Sequence, residues 1–172
     1  MIQTILFAAD MGLHTHYLLH HVNALAAYHS ARVIVVHVIE PPTGLGGAVI
    51  GSFLSPQARE ELEASGIDTI ISGVKGRILD LLEEEFVDGQ QGLSKIRDVR
   101  VVAGRAADVI LEEVASSNAD MIIMGSHGHH VDKPNVLGSV TSRVLQLSRV
   151  PVYMVPLVRN LQSQAWASER RV

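Results

Sequence analysis

Two glycine-rich segments near the C-terminus carry the clearest chemical signal in this sequence. The first is Gly125-Ser126-His127-Gly128, and the second, nine residues later, is Gly138-Ser139-Val140-Thr141. An apolar run precedes the first and a helical pattern begins at the second, so backbone N–H groups would meet at the positive end of a helix dipole. Glycines admit a ligand close to the backbone and permit positive φ, and the hydroxyls of Ser139 and Thr141 are further donors. The spacing predicts a phosphate-binding loop.

The same residues also have a plainer interpretation, in which the first segment is an ordinary turn and Ser139 is an N-cap. Glycine-rich turns before helices are common, so each half of the pattern is weaker than the combination. Other nucleotide motifs are absent: the first strand leads into Asp10-Met11-Gly12-Leu13, and Gly-Lys-Ser/Thr occurs nowhere. A Rossmann dehydrogenase and a P-loop nucleotide hydrolase would each lack their main motif.

One carboxylate and several histidines are further candidates. Asp10, at the end of the first predicted strand, is interpreted as a ligand acceptor; a catalytic acid, a metal ligand and a solvated loop carboxylate are the alternatives. The nine histidines suggest a metal, above all His16 with His20 and the cluster at 127–130, but neither group offers a converging ligand set. Residues 129–133 either approach a terminal phosphate or are solvated. We predict no catalytic residue and no protein metal site.

The elements that position these residues follow from the apolar pattern. Residues 4–9, 33–39 and 121–124 are apolar on both faces, as buried parallel strands require. Two more strands are predicted at 97–102 and 150–155, and helices around 18–25 and at 67–82, 108–117 and 138–148. Glycines 66, 73 and 76 predict that the second helix is kinked or begins late. The βαβαβαβαβ order predicts a five-stranded parallel sheet with helices on both faces and a ligand beyond the first and fourth strands.

Length and composition restrict the class of protein. The 172 residues fit one domain, and the net charge of −4 lacks the basic surface of a nucleic-acid-binding protein. There is no cysteine, so disulfides and thiolate chemistry are excluded. The N-terminal residues read as a strand rather than a leader, and the uncharged stretch at 41–58 is interrupted by glycine and proline. A cytoplasmic protein without membrane insertion is expected.

These motifs resemble those of the universal stress protein family, whose nucleotide-binding members share Gly-x-x-Gly, nine residues, then Gly-Ser/Thr. The resemblance covers residues 1–157 and includes the strand ends at 5–10, 37–39 and 101–104. It implies a single three-layer, Rossmann-like domain, flavodoxin-like and similar to the adenine nucleotide alpha hydrolases, with strand order 3-2-1-4-5. It also implies ATP binding and dimerisation. Two departures are Met11-Gly12, where the family often has a serine, and the glycine-rich segment at 41–55.

The resemblance also implies which residues hold ATP. Asp10 and the backbone of Val38 would lie at the adenine and ribose end, and the two glycine segments would hold the ribose and phosphates. The complete set of expected ATP-binding residues is Ala8, Asp10, Val38, Met124, Gly125, His127, Gly128, Gly138, Ser139, Val140 and Thr141. Mg²⁺ or Mn²⁺ would accompany ATP through its phosphates, because few protein cations offset its charge.

The expected function is that of a cytoplasmic regulatory dimer whose nucleotide state alters its contacts with another protein. The apolar edge strand at 150–156, with prolines at both ends, favours a two-fold dimer. The tail at 158–172 is expected to be mobile or to dock on a partner. The alternatives are an interaction module that binds no nucleotide, and an adenine-nucleotide hydrolase or adenylyl transferase. Slow ATP hydrolysis is the most that the visible residues support.

Overall fold

The computed structural model describes residues 1–12, 14–40, 66–86, 95–128 and 137–157. Strands and helices alternate along these residues. In chain order they are β1 (Thr4–Ala8), α1 (Thr15–His29), β2 (Arg32–Ile39), α2 (Ile67–Phe86), β3 (Ile96–Ala103), α3 (Ala106–Ser117), β4 (Met121–Gly125), α4 (Ser139–Leu147) and β5 (Val152–Val155). The expectations for residues 41–55, 129–136 and 158–172 lie outside the described residues.

The strands form one parallel sheet in the order β3-β2-β1-β4-β5, which confirms the predicted fold. β1 is central, with Leu6 opposite Ile34 of β2 and Ile122 of β4. Because β2 and β4 flank β1 while β3 and β5 lie outside them, the direction of strand succession reverses at β1 and β4. Ligand crevices of open α/β sheets lie at this point.

Both faces of the sheet are buried, because successive side chains of a strand point to opposite faces and helices pack against each face. On one face Ile5, Phe7 and Val35 pack with residues of α1 and α2, among them Leu18 and Ile78. The opposite face is covered by α3 and α4, whose side chains Ile110, Val114 and Val144 pack with residues of the adjacent strands, among them Leu6, Ile122 and Met124. The three layers explain why the strands read as continuous apolar runs.

The element bounds differ from the predictions at several ends. α2 is one continuous helix through Gly73 and Gly76, since a Cβ at either position would meet nothing within 4 Å and Ile78 and Leu82 are buried. Of the two predicted outcomes, a kink or a late start, the late start is wrong, because the helix begins at Ile67. β5 begins at Val152 rather than residue 150, because Ser148 Oγ closes a turn onto the carbonyl and amide of Val150.

Two contacts at the strand ends fix the path of the chain. Gly104, which follows β3, has φ +154° and donates its N–H to the carbonyl of Ile39 over 3.0 Å. At the opposite end of the sheet, Asp120 accepts hydrogen bonds from the backbone N–H groups of Gln3 (2.7 Å) and Thr4 (2.9 Å). These bonds hold the pKa of the Asp120 carboxyl below its ordinary value, because they stabilise the charged form.

Candidate functional site

A cavity of about 180 Å³ lies at the carboxyl ends of β1 and β4. Its apolar wall comes from the sheet, from α1 and from the first turns of α3 and α4, and its polar groups come from the strand ends. The lining residues are Ala8, Ala9, Asp10, Leu18, Val36, His37, Val38, Ala106, Ile110, Met124, Gly125, His127, Gly128, Val140 and Thr141. The cavity therefore occupies the position where the strand order reverses.

Asp10 is held in a tight turn between β1 and α1. Its Oδ1 accepts the N–H of Gly12 over 3.2 Å, and Met11 between them has φ 57°. The carbonyl of Gly12 in turn accepts the hydroxyl of Thr15 over 2.7 Å, which anchors the turn to the first residue of α1. A Cβ on Gly128 would lie 3.4 Å from Asp10 Oδ2, so the carboxylate faces the glycine segment that follows β4.

His37 is a polar member of the cavity wall that the sequence prediction missed. Its Nδ1 lies 2.8 Å from the carbonyl oxygen of Ala9. A carbonyl can only accept, so Nδ1 carries the proton and Nε2 of the neutral ring is an acceptor. The signal in the sequence was a histidine within the otherwise apolar strand 33–39, near its carboxyl end.

The glycine segment after β4 is shaped by the end of the neighbouring strand. The N–H of Ser126 donates to the carbonyl of Val155 over 2.9 Å. A Cβ on Gly125 would lie 2.7 Å from Leu157 Cδ1, which is closer than real contacts allow. Neither Gly125 nor Gly128 has positive φ, so the conformational freedom of glycine is not used at either position. Close approach is the reason for glycine at Gly125.

Helix α4 begins directly against this segment. Gly138 is the N-cap, with φ −60° and no side-chain capping bond, and its N–H donates to the carbonyl of Ser126 over 2.9 Å. A Cβ on Gly138 would lie only 3.0 Å from His127 Cα. Ser139 is thus the first helical residue, so its interpretation as an N-cap is wrong. The N–H groups of the first helical turn have no intrahelical acceptor.

Thr141 has a different role from the one its hydroxyl suggested. The side chain is 3% exposed, and its Oγ1 donates to the carbonyl of Gly125 over 2.9 Å. Because a hydroxyl has one proton, this bond uses the donor that was expected to reach a ligand. Thr141 instead joins α4 to the end of β4.

The structure brings most of the expected ATP-binding residues together. Those that line the cavity are Ala8, Asp10, Val38, Met124, Gly125, His127, Gly128, Val140 and Thr141. Gly138 is buried below His127, and Ser139 is exposed at the start of α4, so neither is part of the lining. The prediction missed Ala9, Leu18, Val36, His37, Ala106 and Ile110. Most of these are small or apolar residues whose position only the fold reveals.

The cavity wall carries little positive charge. Its ionisable members are Asp10, His37 and His127, with no lysine or arginine among the described lining residues. On the adjacent surface, Arg105 and Arg143 both contact Asp108, at 3.5 and 3.3 Å. Across the parts of the chain that the structure describes, no cluster of side chains suits a metal ion and no helix is long and apolar enough to span a membrane.

A parallel sheet of order β3-β2-β1-β4-β5, covered on both faces by helices and carrying a cavity where that order reverses, defines a Rossmann-like α/β domain. The chain belongs to the universal stress protein family, whose model matches residues 1–156.

Individual relatives agree with this assignment. Universal stress protein MJ0577 of Methanocaldococcus jannaschii is 28% identical over 90% of this chain and 95% of its own length. Its solved structure has a TM-score of 0.71 and covers 93% of this chain and 99% of that one. Universal stress protein Sll1654 of Synechocystis sp. is 30% identical over 91% of this chain and 87% of its own. A universal stress protein solved in complex with cAMP is 19% identical, with a TM-score of 0.56 over 90% of this chain and 97% of that one, a likeness of fold alone.

Proposed function

We propose that the chain is an ATP-binding universal stress protein that acts as a regulatory dimer. The observation that carries the proposal is the glycine cradle, defined as Gly125, Gly128, Gly138 and the first turn of α4. It places backbone N–H groups without intrahelical partners beside a cavity at the strand-order reversal. A phosphate needs several donors and room to approach them, and both are supplied without a cation.

The remaining lining residues suit the other parts of a nucleotide. The wall formed by Ala8, Val38, Ile110 and Met124 is apolar, which suits an adenine ring. Asp10, beside Gly128, is an acceptor for ribose hydroxyls. Since the described lining residues include no lysine or arginine, most of the phosphate charge would be offset by the helix dipole and by Mg²⁺ or Mn²⁺ bound to the phosphates.

Binding rather than rapid catalysis is the proposed activity. The described lining residues contain no activated nucleophile of the serine-histidine or cysteine type, and the cysteine count is zero. Slow ATP hydrolysis stays the upper limit of the proposal, and a cytoplasmic location stays a prediction. A protein that holds ATP without consuming it quickly suits a regulatory role.

Titration calorimetry of nucleotide-free protein with Mg-ATP is the direct test. Binding in the micromolar to low-millimolar range is expected, and mass spectrometry of ligand released from freshly purified protein should detect an adenine nucleotide. The absence of heat and of displacement at millimolar ATP would favour the non-nucleotide interaction module. Rapid release of AMP and pyrophosphate would instead identify an enzyme.

The proposed dimer uses the outer edge of β5. The carbonyls of Pro151 and Val155 accept N–H groups of Ile122 and Ser126, so these positions face β4. Because alternate residues of a parallel strand face opposite neighbours, the backbone groups of Val152 and Met154 point to the outer edge. Met154→Pro removes an outward donor and should convert a dimer into a monomer in light scattering. The conservative variant Met154→Leu keeps the backbone N–H and should remain dimeric. If Met154→Leu were as monomeric as Met154→Pro, the proposed backbone pairing would be contradicted.

A further inference from the structure

Two consecutive hydrogen bonds connect the residues after the last strand to the cavity wall. The backbone N–H of Leu157 donates to Ser126 Oγ over 2.9 Å, and the same Oγ lies 3.0 Å from Nδ1 of His127. Ser126 itself is partly buried and does not line the cavity, whereas His127 does. The serine side chain therefore contacts the histidine and does not contact the cavity itself.

The direction of these bonds follows from the identity of the first donor. A backbone N–H can only donate, so Ser126 Oγ accepts from Leu157. Among the described residues the other partner of this hydroxyl is His127 Nδ1, at 3.0 Å, and the direction of this bond depends on the tautomer of the ring. Donation from Oγ to Nδ1 is favoured, because it gives the hydroxyl proton an acceptor among the described residues, whereas donation from Nδ1 would leave that proton without one there. A neutral imidazole that accepts at Nδ1 carries its own proton at Nε2. With Ser126 as the donor to Nδ1, His127 is an Nε2 donor.

The second histidine of the cavity has the opposite arrangement. His37 donates from Nδ1 to the carbonyl of Ala9, so its Nε2 accepts. In this arrangement the two rings differ in tautomer, because one is bonded to a carbonyl, which can only accept, and the other to a hydroxyl that donates its proton. This difference provides an internal reference for an experiment on His127.

We propose that Ser126 is a positioning residue that fixes His127 as an Nε2–H donor to a phosphate oxygen of the bound ligand. The inference rests on the proposed nucleotide site, because a phosphate oxygen is the acceptor it requires. A donor of this kind complements the glycine cradle: Gly138 is packed against His127 Cα, so the histidine stands directly before the first turn of α4. Ser126 adds orientation, and His127 makes the contact.

Nitrogen-detected NMR of imidazole-labelled, ligand-free protein tests the tautomer without any nucleotide. At about pH 9, where ordinary imidazoles are neutral, His127 should show a protonated Nε2 and His37 a protonated Nδ1. In Ser126→Ala the His127 signals should move toward a tautomer mixture while those of His37 stay unchanged. Ser126→Thr keeps the hydroxyl and should restore the His127 pattern. A protonated Nδ1 on His127 in the unaltered protein would overturn the assignment.

Calorimetry with AMP and adenosine tests the contact to phosphate. Ser126→Ala should weaken AMP about fivefold, the order expected when a hydrogen bond that orients a side chain is lost, and leave adenosine unchanged. His127→Gln places an amide N–H near the position of Nε2 and should bind AMP almost normally, whereas His127→Asn places it near Nδ1 and should not. Circular dichroism checks the fold of each variant.

The outcomes separate this inference from the proposed function. If the unaltered protein binds neither AMP nor ATP, the nucleotide function fails and the phosphate contact fails with it, even when His127 has the expected tautomer. If AMP binds normally but Ser126→Ala weakens adenosine as much as AMP, the nucleotide site stands and the role of Ser126 is overturned. Equal AMP binding by His127→Gln and His127→Asn would also overturn it.

Discussion

Gly128→Ala should weaken phosphate binding at least tenfold while leaving the domain folded. Gly128 is exposed, has no positive φ, and a Cβ there would lie 3.4 Å from Asp10 Oδ2, an ordinary contact. The folded state can therefore accept the methyl group. Alanine also restricts the unfolded chain by about 0.4–1 kcal/mol, so the free energy of unfolding should change by less than about 1 kcal/mol.

The effect on binding should be much larger than the effect on stability. The nearest atom to the new methyl belongs to Asp10, which lines the same cavity, so the methyl projects toward the space between the carboxylate and the glycine segment. A phosphate oxygen at hydrogen-bond distance would have to retreat beyond about 3.5 Å from the backbone N–H groups. Loss of one or two bonds to a charged group, roughly 1.5–3 kcal/mol each, corresponds to at least a tenfold rise in Kd.

Urea unfolding and titration calorimetry with Mg-ATP measure the two quantities on the same preparations. Gly73→Ala is the matched control, because Gly73 is exposed in α2 with nothing within 4 Å of a new Cβ. That control should gain about 1 kcal/mol of stability and bind as before. Unchanged ATP affinity in Gly128→Ala would refute the cradle, and a stability loss above about 2 kcal/mol would refute the claim that space is available.

Three further substitutions test the supports of the site and the sheet. Thr141→Val should cost about 1–3 kcal/mol in urea unfolding, because the buried hydroxyl no longer donates to Gly125; an unchanged midpoint would contradict this. Gly104→Ala should destabilise by roughly 1–3 kcal/mol, since φ is +154° and a Cβ would lie 2.7 Å from Val109 Cγ2. Because the pKa of Asp120 is lower in the folded than in the unfolded protein, its charge stabilises the fold at pH values above the unfolded-state pKa. This contribution is lost as the pH falls below about 4. Asp120→Asn should cost about 1 kcal/mol at pH 7 and little at pH 2, and equal losses at both values would exclude the charge as the cause.

The sheet could be predicted from the sequence because its strands are buried on both faces. Short continuous apolar runs such as residues 33–39 and 121–124 have few interpretations other than buried parallel strands, in a chain whose other apolar segments show a helical period. The resemblance at the glycine segments then supplied the strand order. A kink or a late start of α2 was predicted from the low helix propensity of glycine. The helix nevertheless begins at Ile67, and the burial of Ile78 and Leu82 offsets that low propensity.

The reasons for individual residues in the cavity were harder to predict. Spacing identified Gly125, but only the position of Leu157 explains why a side chain is excluded there. Thr141 matched the motif, yet its proton is used within the protein. His37 lies outside every motif, and Ser126 occupies an unspecified position within the Gly-x-x-Gly segment. The contacts of both side chains include hydrogen bonds to residues distant in the sequence. Contacts of this kind are set by the fold and not by local pattern.

The contacts that residues 155–157 make with the glycine segment have a consequence for folding during synthesis. Val155 accepts the N–H of Ser126, and Leu157 fills the space beside Gly125, so the last strand shapes a segment synthesised thirty residues earlier. A ribosome releases the chain from its N-terminus, and domains fold as units. A nascent or truncated chain that ends before Val152 would contain every glycine of the cradle and still lack its support. If the cavity binds a nucleotide as proposed, the ligand would stabilise finished domains selectively, because only they present the complete site.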